Sequence, residues 1–412
     1  MSDPASHQAV EAVFRIESAR LIAGLVRFVR DVGLAEELAQ DALVIALERW
    51  PLTGIPENPA AWLMTTAKNR AVDQSRRRKL HDENQHELIP EQPPHPDVAL
   101  DEDVGDDLLR LILISCHPVL SPEARVALTL RLLGGLSTEE IARAFLVPKA
   151  TIQQRIVRAK KTLAEERVPF EVPRGPDLAV RLSSVLEVIY LVFNEGYSAT
   201  AGDDWMRPEL TQDALRLGRI LQALLPREPE VHGLAALMEI QASRARARTN
   251  ARGEPVLLLD QDRSRWDQLL IRRGLAALLQ AEALEGGEGP YALQAAIAAC
   301  HARAPEASQT DWKRIAQLYL RLGQVTPSPV IELNRAVAVS MADGPAEGLL
   351  IIDELARSGV LEGYHLLQSV RGDFLAKLGR NREAREELLR AAAMTRNERE
   401  RALLLARADS LS

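Results

Sequence analysis

Two runs of residues carry types and spacings that could do chemistry. The first is Ser137-Thr138-Glu139-Glu140-Ile141-Ala142, followed after a short break by Ala150-Thr151-Ile152. Ser137 and Glu140 have the spacing of a capping box, in which each residue satisfies an orphan amide at a helix start. Residues 146–148 turn the chain, and a second helix starts near Lys149. On it Ile152, Ile156, Ala159 and Leu163 recur at helical spacing, the pattern of a buried seam. The opposite side presents Thr151, Gln154, Arg158 and Lys161, flanked by Arg155 and Lys160. Two short helices joined by a tight turn, the second one cationic, suit the major groove of a duplex. From residue 143 to 167 seven basic side chains stand against two acidic ones, so the field there is positive although the whole chain is not. A solvated amphipathic helix is the plainer alternative for this run taken alone.

The second run lies on an earlier helix. Trp62, Thr65, Asn69 and Arg76 form one stripe, opposite an apolar face of Ala60, Leu63, Met64, Ala67 and Ala71, and Arg77, Arg78 and Lys79 follow. An aromatic ring, an amide and a guanidinium in line can stack on unpaired bases beside a phosphate backbone. For Trp62 the favoured reading is a plug against the preceding helix. The four terminal cations fit equally well as partners of the helix dipole.

The elements that position these runs are helical throughout. Ala, Leu, Arg and Glu dominate nearly every window and no stretch alternates with a period of two, so the fold class is all-α. Helices are expected over 7–30, stopping near Gly33, and over 34–50. Pro51, Gly54, Pro56 and Pro59 then force a loop before a third helix that reaches residue 79. Between residues 82 and 107 ten acidic side chains occur with no Lys or Arg, around Pro90, Pro93, Pro94 and Pro96, which reads as a flexible, self-repelling linker. Helices resume over 106–116, 122–133, 138–145 and 149–166. Pro169, Pro173 and Pro176 mark a joint before a long helical remainder. In it Gly372, Leu375, Gly379, Ala384, Leu388 and Ala391 fall where a tetratricopeptide unit places its small and large residues. The expected domains are 7–80, the linker 81–107, 108–168, a middle segment 177–290 and helical hairpins over 291–408.

With 412 residues the chain is too long for one core, and 46% hydrophobic with 26% charged residues is a globular balance. No apolar stretch approaches the ~20 residues of a membrane span, so no membrane partner is expected. The first twenty residues lack a basic segment followed by an apolar run, so no secretory signal is expected there. Cys116 and Cys300 cannot build a disulfide framework and fit a reducing cytoplasm. Cys116-His117 and Cys300-His301 lack the local spacing of a zinc site, so neither a metal nor another cofactor is expected. Arg244, Arg246, Arg248 and Arg252 read first as an exposed basic loop.

The strings Glu37-Leu38-Ala39-Gln40-Asp41-Ala42-Leu43, Trp62-Leu63 and Ala67-Lys68-Asn69-Arg70-Ala71-Val72-Asp73 resemble region 2 of a bacterial sigma-70-family sigma factor. Leu120-Ser121-Pro122-Glu123-Ala124-Arg125 and the capped helix-turn-helix resemble region 4. With only these two regions present, the first 168 residues resemble the extracytoplasmic-function (ECF) group. The remainder resembles the tetratricopeptide-like extension of a long-tailed subgroup, with Asn194-Glu195-Gly196-Tyr197 and Asp260-Gln261-Asp262-Arg263-Ser264-Arg265-Trp266-Asp267 as its distinctive strings.

The resemblance implies core RNA polymerase as partner, through the clamp of its largest subunit and its beta flap, together with promoter DNA. Glu37, Gln40 and Asp41 would dock on the clamp. The loop 50–58 with Trp62, Thr65 and Asn69 would hold bases of the −10 element, and Arg76, Arg77, Arg78 and Lys79 the adjacent backbone. Lys149, Thr151, Gln154, Arg155, Arg158 and Lys161 would read the −35 element. The extension would regulate, through a protein partner or an intramolecular contact. Two residues depart from the pattern. Leu146 stands where the family carries glycine, so the turn either avoids a positive φ or bears strain. Thr66 replaces an apolar residue, which loosens packing of its helix.

A stand-alone helix-turn-helix regulator with a tetratricopeptide interaction module is the alternative from another class. An enzyme built on the two distinctive strings is a third, less favoured because both strings suit capping and locking of helices. Replacing Asp41 separates the first two: a sigma factor is expected to lose affinity for core polymerase in a pull-down, whereas a stand-alone regulator keeps its duplex affinity unchanged.

Overall fold

A computed structural model of the chain describes residues 4–82, 104–197, 206–250, 256–395 and 398–411. Its regular elements are helices, and they divide into two compact units, residues 1–224 and 225–412. The first unit holds α1 (Pro4–Val29), α2 (Val32–Thr53), α3 (Pro59–Asp82), α4 (Val104–Ser115), α5 (Pro122–Leu132), α6 (Thr138–Ala144), α7 (Lys149–Glu165), α8 (Pro176–Tyr197) and α9 (Pro208–Leu224). The second holds α10 (Pro229–Ala242), α11 (Gln268–Ala283), α12 (Pro290–Arg303), α13 (Trp312–Val325), α14 (Pro329–Asp343), α15 (Pro345–Ser358), α16 (His365–Lys377), α17 (Asn381–Met394) and α18 (Glu398–Asp409). Proline opens α3, α5, α8, α9, α10, α12, α14 and α15, a position where its missing amide costs no intrahelical bond.

In the first unit α4 is the central element. Leu108, Leu109, Leu111, Ile112, Leu113 and Ile114 are all buried, so the helix is apolar on every side, the pattern of an element enclosed by others. It packs against α1 on one side and against α5, α8 and α9 on others. Helices α1, α2 and α3 form one cluster, and α5, α6 and α7 another beside it. In the second unit α12 packs on α10, and successive helices from α12 to α18 pack on their chain neighbours, so the core runs along the chain as a series of local clusters. The α16–α17 turn falls at Gly379, whose φ of 74° suits glycine, with Arg380 N donating to Leu375 O at 2.9 Å.

Several expectations change. The first helix ends at Arg30, which itself takes the left-handed conformation (φ 55°), and Asp31 caps α2 by accepting from Leu34 N at 2.7 Å. Gly33 therefore lies inside α2 and terminates nothing. Pro51 does not end α2, because one turn from the terminus it removes a single backbone bond, and Gly54 N closes the end on Trp50 O at 2.9 Å. The acidic stretch ends before residue 107: Asp106 and Asp107 lie in the first turn of α4, where carboxylates favour the positive end of the helix dipole. Asp107 is buried, bonded to Arg110 at 2.6 Å and facing Arg27 at 3.6 Å. Residues 83–103 of the expected linker lie outside the described residues. The division after Leu224 also falls within the stretch 177–290 that was expected to be one segment, because α8 and α9 bury their apolar faces on α4 and α5.

Arg125 on α5 is 9% exposed and donates to Ser184 Oγ and, at 3.0 Å, to Glu187 of α8. Cutting the chain after Pro169 would strand that guanidinium, at about 1–3 kcal/mol for an unsatisfied buried donor. It would also expose the apolar faces that Val185, Leu186 and Ile189 cover. A fragment ending at Pro169 is therefore expected to melt well below one ending at Leu224 in thermal unfolding followed by circular dichroism.

Candidate nucleic-acid interface

Helices α6 and α7 form the turn motif that the sequence suggests. Ser137 Oγ accepts from Glu140 N at 3.1 Å and Glu140 Oε2 accepts from Ser137 N at 2.7 Å, so both halves of the capping box are made. Ile152, Ile156, Ala159 and Leu163 are buried and seat α7 against α5 and α6. Lys149, Gln154, Arg158 and Lys161 are exposed on its other side, with Thr151 and Arg155 half-buried. Lys149 pairs with Glu139, and this contact holds the Glu139 carboxyl below the usual carboxylate range. Lys161 faces Glu165 at 3.5 Å. The first turn of α7 has no side-chain cap, and Thr151 N donates to Pro148 O at 2.9 Å.

The turn between them takes the strained alternative. Leu146 has φ 49° and is half exposed. Leu146 N donates to Arg143 O at 3.3 Å and Val147 N to Ala142 O at 3.0 Å, the two bonds of a Schellman ending with leucine in the place of glycine.

Region α2–α3 presents the other surface. Trp62 is half-buried, its ring edge-on to the buried Trp50 with centroids 5.2 Å apart, which is the plug arrangement. Thr65, Asn69 and Arg76 are exposed, and Thr66 is half-buried. Arg77, Arg78 and Lys79 continue α3, but their side chains lie outside the described residues. Asn58 Oδ1 accepts from Ala61 N at 3.0 Å and starts α3. Because α2 reaches Thr53, the connecting loop is shorter than the expected 50–58; Leu52 at the end of α2 and Ile55 in the loop are 85% and 45% exposed. Solvated aliphatic side chains beside a stripe of exposed polar ones suit contact with base faces.

On α2, Glu37 is exposed and Asp41 half-buried. Gln40 Nε2 donates to Glu36 Oε1 at 3.0 Å. Glu36 was not singled out by the sequence, yet it is buried and accepts from Arg131 Nε of α5 at 2.6 Å while pairing with Lys160 of α7. One carboxylate thus ties the α1–α3 cluster to the α5–α7 cluster. Its only sequence signal is its place one helical turn before Gln40.

The distinctive strings of the extension serve structure. Asp262 caps its own turn at Ser264, and Asp267 caps α11 through Leu269 N and Leu270 N. Arg263 donates to His301 O at 2.8 Å, Ala304 O at 2.6 Å and Thr310 Oγ1 at 3.1 Å, and lies over the Trp266 ring at 5.0 Å. Burial, with Arg244 and Arg263 nearby, pulls His301 down to about 4, so it stays neutral. The basic tract is not a plain exposed loop: Arg246 is exposed, but Arg244 and Arg248 are half-buried, and Arg244 lies 5.9 Å from the Trp266 centroid. Arg252 lies outside the described residues. Both cysteines are buried, and burial pushes the Cys116 thiol up to about 12. Among the described residues no group of three or more His, Cys, Asp or Glu is placed to hold a metal ion, and no helix is long and apolar enough to cross a membrane.

A left-handed leucine costs roughly 1–2 kcal/mol that glycine would not. Glycine also has more conformational freedom to lose on folding, so the net gain is smaller. Leu146→Gly is expected to raise the midpoint of chemical unfolding of the first unit by an amount worth about 1 kcal/mol, and an unchanged or lowered midpoint would show that the turn bears no strain.

The chain matches known families in three places. Residues 14–81 match sigma-70 region 2, residues 110–163 match sigma-70, region 4, and residues 181–282 match a family of unknown function (DUF6596). Over 393 residues the chain is 44% identical to an uncharacterized protein of Rhizobium meliloti (strain 1021), covering 94% of this chain and 92% of that one. It is 31% identical over 164 residues to the ECF RNA polymerase sigma factor SigK of Mycobacterium bovis (strain BCG / Pasteur 1173P2), covering 38% of this chain and 84% of that one. It is 26% identical over 170 residues to the probable ECF RNA polymerase sigma factor SigI of Mycobacterium tuberculosis (strain CDC 1551 / Oshkosh), covering 40% of this chain and 58% of that one. No solved structure matches. With regions 2 and 4 in order on α1–α3 and α4–α7, the chain belongs to the ECF group of the sigma-70 family and carries a further helical extension after region 4.

Proposed function

We propose that this chain directs core RNA polymerase to promoters by holding melted bases on α3 and reading intact duplex with α7, while its extension regulates that activity. Sigma-70 domains imply binding of core polymerase and of promoter DNA; the residue roles go further. The observation that carries them is the pairing, in one chain, of a capped helix-turn-helix with exposed Lys149, Gln154, Arg158 and Lys161 and a separate helix with exposed Thr65, Asn69 and Arg76. Thr151 and Arg155 border the first surface. Trp62 supports the second from below, against Trp50, and Arg77, Arg78 and Lys79 extend it along the DNA backbone.

Capturing a base outside the stack costs a few kcal/mol, which a protein must recover in stacking and hydrogen bonds. Leu52 and Ile55 supply apolar contact there and Asn69 supplies an amide. Glu37, Gln40 and Asp41 dock α2 on the clamp of the polymerase largest subunit, and region 4 meets the beta flap. The hairpins of α13–α18 give a tetratricopeptide-like surface for a protein partner, and the chain works in the cytoplasm.

The two DNA elements stand about 25 base pairs apart, ~85 Å of duplex axis. Lys160 on α7 cannot keep its bond to Glu36 on α2 across that span. The Glu36 contact therefore belongs to the resting chain and breaks when both elements are engaged. The 21 residues from 83 to 103 reach at most ~70 Å, so the linker covers most of such a separation and the widths of the two helical clusters cover the rest.

Mixing the full chain with core polymerase and running off transcripts from genomic fragments is the direct test. Transcripts that start at a few defined sites, and only when both components are present, are expected. Asn69→Ala is expected to leave duplex binding by the holoenzyme intact and to reduce open-complex formation, read by permanganate reactivity of unpaired thymines, by about tenfold. Absence of any defined start site with both components present would refute the proposal.

A further inference from the structure

Helices leave their last carbonyls without intrahelical partners. In region 4 three of these ends receive a donor from the first hairpin of the extension. Ser184 Oγ of α8 donates to Cys116 O just past α4, at 2.6 Å. Arg216 Nη2 of α9 donates to Leu133 O, the cap of α5, at 2.7 Å. Arg207, one residue before α9, donates to Ala144 O, the last residue of α6.

The third bond has a consequence the other two lack. Ala144 stands immediately before the turn that mounts α7, and that turn holds Leu146 at φ 49°. The Schellman bonds occupy the carbonyls of Ala142 and Arg143, and Arg207 takes the next one. A strained turn persists only where its surroundings over-determine it, and a cation at the end of α6 also complements the helix dipole.

Asn194-Glu195-Gly196-Tyr197 builds the joint that delivers this guanidinium. Glu195 is buried and pairs with Arg207, while Gly196 O accepts from Arg207 N at 2.7 Å. At Gly196 a Cβ would stand 2.5 Å from Thr211 N, so only glycine lets α8 and α9 approach this closely. Tyr197 stacks on Phe193 with centroids 5.5 Å apart and closes the end of α8.

We propose that Arg207 is a positioning residue for promoter recognition: the extension, through this guanidinium on the Ala144 carbonyl, fixes the angle at which α7 enters the duplex. The inference rests on α7 being the duplex-reading helix. Arg207 touches no DNA itself and acts through the turn.

The test uses holoenzyme assembled from core polymerase and the full chain. Duplexes are selected by wild-type holoenzyme from a pool randomised upstream of the start site, and discrimination is then measured between the selected upstream element and its single-base variants. Arg207→Ala is expected to lower that discrimination about tenfold, the size of one lost base contact, with affinity for core polymerase unchanged. Arg207→Lys keeps a cation beside Glu195 and so keeps the fold. It replaces a planar fork by a single ammonium, and a loss of about threefold is expected. If Arg207→Ala does not fold, the lysine variant decides alone. Unchanged discrimination in the folded variants, or an equal loss on every duplex, would overturn the positioning role. Arg158→Ala serves as control. If it leaves discrimination unchanged, the reading of α7 fails and this inference with it; if it abolishes discrimination while the Arg207 variants do not alter it, only the positioning role fails.

Discussion

Region 4 of this chain ends three of its helices in carbonyls that its own short loops leave open. The cost of a buried, unsatisfied carbonyl, about 1–3 kcal/mol, falls on any arrangement that removes the outside donors. Ser184, Arg207 and Arg216 supply them from α8 and α9. The reverse debt exists too, since Arg125 of region 4 is buried and finds its acceptors on α8. Each side carries polar groups that only the other satisfies, so the α8–α9 hairpin and region 4 form one folded body. The apolar packing of α4 points the same way, as its residues are covered by region 2, region 4 and the hairpin together.

Charge organises the same unit. The chain is net negative at −7, which opposes indiscriminate binding of polyanions, yet its cations are gathered on the α7 surface and at the end of α3. Several of those cations meet carboxylates inside the chain. Glu139 holds Lys149, and Glu36 holds Lys160 together with Arg131. On the proposed reading of α7, a phosphate backbone displaces such carboxylates, and DNA binding becomes an exchange of ion pairs. The buried Glu36 is the costlier pair to open and the one that ties the α1–α3 cluster to the α5–α7 cluster.

Sequence made the local chemistry visible where a residue acts on its own neighbours. The Ser137–Glu140 box and the seam of α7 are read correctly, because each depends on spacing within a few residues. Endings were harder. Arg30 and Leu146 take the left-handed conformation that glycine favours, since packing of the flanking helices overrides a local preference worth only 1–2 kcal/mol. Pro51 continues α2 because a proline in the last turn forfeits little. The least legible features are the long-range ones. Glu36, Arg125 and Arg207 look like ordinary surface charges in sequence, and the contacts by which they join separate helices reach partners 59 to 124 positions away, which no spacing rule marks. The Asn194–Tyr197 string was conspicuous but mute until its product, the placement of Arg207, was seen.

Amide hydrogen exchange across residues 138–224, followed in the full chain alone and in the holoenzyme on promoter DNA, tests most directly whether the hairpin stays part of the DNA-reading body. Amides of α8 and α9 should remain as protected in the promoter complex as in the free chain, while those of α7 gain protection. Loss of protection in α8 and α9 as α7 becomes protected would contradict a hairpin that holds the reader in place, and would make it a cover that leaves before DNA is bound.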